Sequence, residues 1–301
     1  MARSGISHMS LSQALAFLKQ KDHTMKMIGL EIIKNSKENE KTFEPVKELL
    51  HDESPDVRSF AAEVLIGIAP QDALPFIIEL LKDPISSVRL NILNILEKYP
   101  TSKYIPSIKE CIYDREMKVR KAALRALAAT KDSGILDSLL NALRDTNEII
   151  FDEATKILAN YKGSVPESLV SIYLGDENAE VRLAVLQYLI PQLSETNPDF
   201  YIQALEDESP EVKKIALLHL QDLISSGVIK DKIDIFTELA LKLINDPVKS
   251  VRFQAINLLG VLKNPDTLEP LIKVATNDED EDVRALAMET IVIIRRALRI
   301  N

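Results

Sequence analysis

The sequence predicts an all-α protein, a right-handed solenoid of about nine helix-turn-helix repeats. The main observation is a seven-residue motif, Asp-x-x-x-x-Val-Arg, whose first clear copy runs from Asp52 to Arg58. The motif returns every 31 residues from Asp52 to Asp207, and the next two steps are 39 and 32 residues. A fixed period between about 20 and 50 residues is the signature of stacked-repeat proteins. A hydrophobic content of 46% with only 5% aromatic residues and no Trp predicts an aliphatic core.

Seven copies keep the motif and one is degenerate. The copy that begins at Asp207 ends in Val212-Lys213, and the copy at Asp145 is degenerate and ends in Ile150-Phe151. The other copies end in Val-Arg and begin at Asp52, Asp83, Asp114, Asp176, Asp246 and Asp278.

The motif lies at the start of the second helix of each repeat. Ser54 followed by Pro55 is a typical helix start, with Ser at the N-cap and Pro in the first turn. Apolar residues then follow at helical spacing, which predicts one buried stripe along the helix. In the second copy of this pattern they are Val88, Ile92, Ile95 and Leu96. One register of the second helix carries Ala, which lets neighbouring helices pack closely, and Leu or Ile follows four residues later.

The repeats account for nearly the whole chain. Residues 1–9 resemble a cloning remnant or a disordered start, and residues 10–301 are predicted to form a single solenoid. Residues 11–36 fit a first, degenerate repeat, and a longer unit is expected near residues 222–245. The last helix is apolar on more than one face around Ile291 to Ile294. Because the end of a solenoid normally has a polar outer face, this helix is a candidate surface for self-association. The alternative is that one side packs inward and arginines solvate the rest.

The motif, with the Ala and Leu that follow it at a period near 31, resembles the HEAT repeat. The likeness covers almost the whole chain and is strongest to the short repeats shared with phycobilisome lyases. It implies an α-solenoid with first helices on the convex side and second helices lining the concave side. The resemblance also implies a scaffold or adaptor that binds a protein partner, because most members of this family do so. A minority of members are enzymes or bind nucleic acid.

The charged residues of the motif are predicted to be structural. An arginine in the first turn of a helix is poorly placed for the helix dipole and needs an anion nearby. The recurring aspartate supplies one, either in the same turn or in the neighbouring turn. The alternative is a basic stripe that binds phosphates. The predicted charge ladder consists of Asp52, Arg58, Asp83, Arg89, Asp114, Arg120, Asp176, Arg182, Asp246, Arg252, Asp278 and Arg284.

Catalytic motifs are missing from the sequence, so we expect no enzyme activity, no cofactor and no metal. The four histidines, His8, His23, His51 and His219, have no metal-ligand spacing. The single cysteine, Cys111, lies on an apolar helix face, as a core residue would. It excludes a disulfide framework and favours a reducing, cytoplasmic setting. No stretch is apolar enough to span a membrane.

The candidate binding residues are those that differ between repeats on the predicted concave face. The residue six positions after each motif Val should point there, and this row is mostly polar with a cationic middle. Tyr and Arg are favoured at interfaces. We therefore predict a protein-binding site, suited to an acidic segment or helix, that contains Asn94, Tyr99, Arg125, Lys156, Tyr161 and Gln187. The alternative is an ordinary solvated surface.

Two other functions are compatible with the same fold. One is a lyase or chaperone-like enzyme similar to the bilin lyases, although no histidines or acid clusters occur on the predicted concave face. The other is a nucleic-acid binder resembling the HEAT-like DNA glycosylases. A net charge of −9 disfavours it, because phosphate backbones attract basic surfaces.

Overall fold

The structure is a computed structural model of the 301-residue chain and describes residues 9–36, 41–193 and 196–299. Residues 1–8, which include His8 and most of the predicted cloning remnant, lie outside the described residues. The chain divides into two compact units, Met1–Gly163 and Ser164–Asn301.

The predicted all-α solenoid is confirmed: the described residues form nine helix pairs, five in the first unit and four in the second. The helices of the first unit are α1 Leu11–Leu18, α2 His23–Lys34, α3 Phe43–Glu48, α4 Pro55–Ile68, α5 Pro70–Ile77, α6 Ser86–Lys98, α7 Ile105–Glu110, α8 Met117–Thr130, α9 Leu136–Ala142 and α10 Glu148–Ala159. Those of the second unit are α11 Glu167–Leu174, α12 Ala179–Ala184, α13 Pro198–Leu205, α14 Pro210–Ser225, α15 Ile233–Leu243, α16 Lys249–Leu262, α17 Leu268–Asn277 and α18 Glu281–Leu298.

The motif begins each second helix in a uniform way. In α4, Ser54 occupies the N-cap position and Pro55 is the first helical residue, as predicted from the sequence. The Ser54 hydroxyl makes no capping bond, however. The Ser54 backbone N–H instead donates to Asp52 Oδ1 at 2.9 Å. The motif aspartate therefore shapes the turn that leads into the helix.

The core follows the register of the motif. In α4, Val57, Ala61 and Leu65 are fully buried, and the equivalent residues of the second helices from α6 to α18 are buried as well. Within each unit the second helices pack side by side in chain order. Each first helix packs on its own second helix, except that α5 packs on α4 and reaches α6 through the 3-10 turn Ile78–Lys82 that follows it. The small alanines let the backbones approach, and the leucines fill the layer between them. Stacking of neighbouring pairs therefore forms a continuous core in each unit.

The longer repeat near residues 222–245 contains longer helices and a longer connection. Helix α14 has 16 residues and α15 has 11, against 14 in α4 and 8 in α5. The connection between them turns at Gly227, where φ is +73°. Glycine adopts this left-handed conformation without the steric cost of a Cβ atom.

Candidate functional site

The charged residues of the motif connect each repeat to the next. The Arg58 guanidinium donates to both oxygens of Asp83, with Nε–Oδ2 at 2.7 Å and Nη2–Oδ1 at 2.9 Å. Its third nitrogen, Nη1, donates to the backbone oxygens of Asp52 and Glu53 in its own turn. The Asp83 side chain is 3% exposed. The arginine thus binds the carboxylate of the following repeat and the carbonyls of its own.

The same geometry recurs along both units. Arginine Nε lies 2.7–2.9 Å from the aspartate Oδ2 in each pair, and Nη1 donates to the backbone oxygen of the motif aspartate six positions earlier. The pairs are Arg58–Asp83, Arg89–Asp114, Arg120–Asp145, Arg182–Asp207 and Arg252–Asp278. The hydrogen bonds to Asp114 raise the pKa of Arg89, against the opposing effect of burial. These guanidinium groups are already occupied by protein oxygens.

Three of the motif copies depart from this pattern. Lys213 replaces the arginine and reaches only Asp246 Oδ2, at 2.5 Å. Phe151 stands at the arginine position of the degenerate copy and is half-buried. Arg284 keeps the bond to its own turn, donating to the Asp278 backbone oxygen at 2.7 Å, and no carboxylate within the described residues receives its fork.

A row of polar side chains runs across the second helices of the first unit. Asn94, Arg125 and Lys156 are exposed on α6, α8 and α10, which pack side by side. Each lies six residues after the motif Val position of its helix, which is Val88, Val119 or, in the degenerate copy, Ile150. We call these three residues the polar row. Tyr99, at the end of α6, is 38% exposed.

An acidic residue that the sequence analysis missed organises the centre of this face. Glu153 on α10 is buried, yet its carboxylate contacts Arg125 Nε at 2.7 Å and Lys121 Nζ at 3.2 Å. These two cations keep the pKa of Glu153 below its ordinary value, although burial acts in the opposite direction. Arg125 remains 47% exposed while it is held in place. Only the position of Glu153 on the next helix of the stack reveals this contact, because it lies 28 residues away in sequence.

Besides Tyr99, two of the predicted binding residues lie outside the polar row. Tyr161 is only 9% exposed, and its hydroxyl donates to the Ser133 backbone oxygen at 3.4 Å. A Cβ added at Gly163 would lie 2.2 Å from that hydroxyl, so the ring packs directly against the glycine backbone. Gln187 belongs to the second unit, where it is exposed on the π-helical segment Val185–Leu189.

The second unit has a groove on its second helices. Its volume is about 580 Å³, and it crosses α14, α16 and α18. Gly260 lines the groove, and a Cβ added there would lie 3.3 Å from Thr290 Cγ2. Its apolar lining residues include Ile224, Val261 and Ile293, and its polar ones include Gln221, Asn257 and Glu289. A glycine inside an otherwise aliphatic helix is the sequence signal that points to it.

The described residues contain no cluster of His, Cys, Asp and Glu that could hold a metal ion. Cys111 is 5% exposed, and burial raises the pKa of its thiol to about 11. His23 Nδ1 lies 3.3 Å from Asp52, and His219 is half-buried beside Tyr201. In the part of the chain that the structure describes, none of the helices combines the length and the hydropathy that a membrane span requires.

Comparison with solved structures shows the same fold in much longer proteins. Importin beta matches 94% of this chain with 14% identity and a TM-score of 0.58, and 48% of that protein is covered. The karyopherin Kap121p, in its complex with the SUMO protease Ulp1p, matches 95% of this chain with 13% identity and a TM-score of 0.62. There the chain spans 37% of the karyopherin. Among curated proteins no sequence is significantly similar.

The family comparison covers most of the chain. The model for HEAT repeats matches residues 43–116, 105–190 and 198–292. The match confirms the resemblance inferred from the motif, while the closer likeness to phycobilisome lyases stays a prediction. The chain belongs to the HEAT-repeat family.

Proposed function

We propose that this protein is a non-enzymatic scaffold that binds a protein partner through its second helices. The observation that carries the proposal is the polar row: three differing side chains, exposed on three helices that pack side by side. The charged residues of the shared motif already bind one another in the charge ladder. The polar row is where the repeats differ, and variation at such positions gives solenoids their distinct binding surfaces.

Arg125 is the proposed anchor of this site. Its guanidinium is oriented by Glu153, so less side-chain freedom is lost when a partner binds. Arginine is among the residues most enriched at energetically important interface positions. Lys156 adds a second cation, whereas Glu153 is already neutralised by Lys121 and Arg125. We propose a partner segment that places a carboxylate against Lys156 and Arg125 and hydrogen-bonds Asn94.

The remaining parts of the proposal concern the other surfaces and the cellular setting. Tyr99 would pack at the rim, Gln187 would belong to a separate contact on the second unit, and Tyr161 would support the first unit from inside. The groove at Gly260 is a further contact of the same kind. A single, buried thiol at Cys111 supports a cytoplasmic protein. The last helix, α18, would mediate self-association.

The test compares wild type with the double variant Arg125→Glu, Lys156→Glu. A tagged chain captures partners from a lysate, and the affinity of each purified partner is then measured by calorimetry. We expect binding at least tenfold weaker, a loss of about 1.4 kcal/mol. The matched control is Lys82→Glu, Lys103→Glu, which changes the charge equally on the first-helix side and should bind like wild type. Equal affinity for all three proteins would refute the site.

A further inference from the structure

The last helix, α18, exposes an apolar side chain, Met288, at a position that its counterparts bury or half-bury. Met288 lies five residues after the motif Val283 and is 59% exposed, and Val292 is 46% exposed. In the second helices from α4 to α16 the residue equivalent to Met288 is buried in all but one, where Thr155 is half-buried. The buried equivalents are Ala62, Leu93, Leu124, Leu186, Leu217 and Ile256.

Met288 belongs to an exposed stripe that has the spacing of a coiled-coil seam. We call it the α18 seam; its residues are Glu281, Ala285, Met288, Val292, Arg295 and Arg299, and all six are exposed. Successive members are separated by 4, 3, 4, 3 and 4 positions, so the first five lie on one side of the helix. Arg299 follows directly after the last helical residue, Leu298. The apolar residues are in the middle, with an acid at the first end and arginines at the last.

The order of these residues makes the α18 seam complementary to itself. In an antiparallel pair of α18 helices related by a two-fold axis, Glu281 faces Arg299 of the second copy, and Met288 faces Val292. Ala285 faces Arg295, and its small side chain leaves room for the arginine stem. Every contact of such an interface occurs twice, as in the two-fold dimers that are the commonest symmetric assemblies.

Within residues 9–36, 41–193 and 196–299, no contact accounts for these charges. Among the described residues Glu281, Arg295 and Arg299 take part in no ion pair, whereas the neighbouring Asp282 binds Lys249 Nζ at 2.7 Å. The helix dipole favours acids at the first end and arginines at the last. The dipole does not explain the exposed Met288 and Val292 between them.

We propose that α18 is a homodimerisation surface and that its occupant is the α18 of a second copy, packed antiparallel about a two-fold axis. The proposal extends the self-association included in the proposed function. A contact centred on one 18-residue helix falls at the small end of specific interfaces, below about 1,200 Å². The dimer is therefore expected to be reversible and concentration-dependent.

The experiment is sedimentation velocity across a concentration series, with variants of exposed side chains that the fold does not need. Met288→Glu should weaken dimerisation at least tenfold. Glu281→Arg and Arg299→Glu should each weaken it, because each variant brings like charges together twice. The combination of the two should restore it. The two residues lie at opposite ends of α18, about 27 Å apart, so compensation inside one chain is excluded.

The control variant changes a charge outside the α18 seam. Lys242→Glu changes an exposed charge elsewhere in the second unit and should leave the dimer unchanged. A chain that stays monomeric at all concentrations, species that grow beyond a dimer, or a combined variant that stays monomeric would each overturn the proposal. The Arg125→Glu, Lys156→Glu variant should dimerise normally, so failure of the partner site and failure of the α18 seam are separately visible.

Discussion

The charge ladder predicts that loss of one carboxylate destabilises the repeats on both sides of it. Asp114 accepts from Arg89 Nε at 2.7 Å and Nη2 at 2.8 Å, and from the Glu116 backbone N–H at 2.9 Å. In Asp114→Ala the Arg89 side chain, 9% exposed, keeps only two carbonyl acceptors. Removing one partner of a buried pair costs about 3–5 kcal/mol. Because those carbonyls remain, we expect about 3 kcal/mol.

The assay is hydrogen exchange resolved to α6 and α8, because repeat arrays open locally and a single unfolding free energy is ill-defined. A loss of about 3 kcal/mol corresponds to exchange roughly 150-fold faster. The matched control is Glu110→Ala, which removes an exposed partner of Lys82 at 3.7 Å and should cost about 0–1 kcal/mol. Equal effects of the two substitutions would refute the ladder as a stabilising device.

A double variant and a pH series separate the causes. If the cost arises from an uncompensated charge, Arg89→Met combined with Asp114→Ala should be less destabilised than Asp114→Ala alone. Although burial opposes it, the bonds from Arg89 lower the pKa of Asp114. This contribution to stability is therefore complete above the ordinary carboxyl pKa and is lost as the pH falls through the lowered value. Wild type should lose stability as the pH falls through the lowered pKa of Asp114, and the stability of Asp114→Ala should depend less on pH.

Three further outcomes follow from other contacts. Lys213→Arg should stabilise the second unit by about 1 kcal/mol in thermal unfolding, since a guanidinium can bind both oxygens of Asp246 and the turn carbonyl; an unchanged melting temperature would contradict this. Burial lowers the pKa of His219, whose Nδ1 is buried without a partner, so stability should fall as the pH drops below about 6.5. His219→Leu should reduce that dependence in urea titrations, and an identical pH profile would rule it out. Gly29→Ala should cost about 1–3 kcal/mol, because the new Cβ would lie 2.8 Å from a leucine methyl and 2.9 Å from a backbone oxygen. Gly67→Ala, whose Cβ meets nothing within 4 Å, should cost nothing by the same measurement.

The fold could be predicted because it depends on short-range periodicity. The 31-residue step and the register of Val57, Ala61 and Leu65 specify helix pairs and the face that each pair buries. The partner of each arginine could not be chosen from sequence, since the aspartate of the same turn and that of the next turn are equally plausible. In the structure each paired arginine binds the carboxylate of the next repeat and the backbone carbonyls of its own repeat.

The candidate site was less predictable because its contacts join residues far apart in sequence. Arg125 and Lys156 could be placed on one face from their register, but the ion pair of Arg125 with Glu153 depends on how α8 packs against α10. The burial of Tyr161 depends on its close contact with Gly163. Sequence periodicity shows on which side of its helix a side chain lies. It does not show which side chains of other helices lie next to it.

The ladder gives most repeats one donor for the repeat that follows and one acceptor for the repeat that precedes it. A complete repeat can therefore be inserted or deleted by gene duplication or unequal recombination, and the new junction pairs as the old ones did. No charged side chain is left buried without a partner at such a junction. Growth of this chain by whole repeats would then be nearly neutral for folding, which leaves the exposed second-helix residues of each new copy open to diverge.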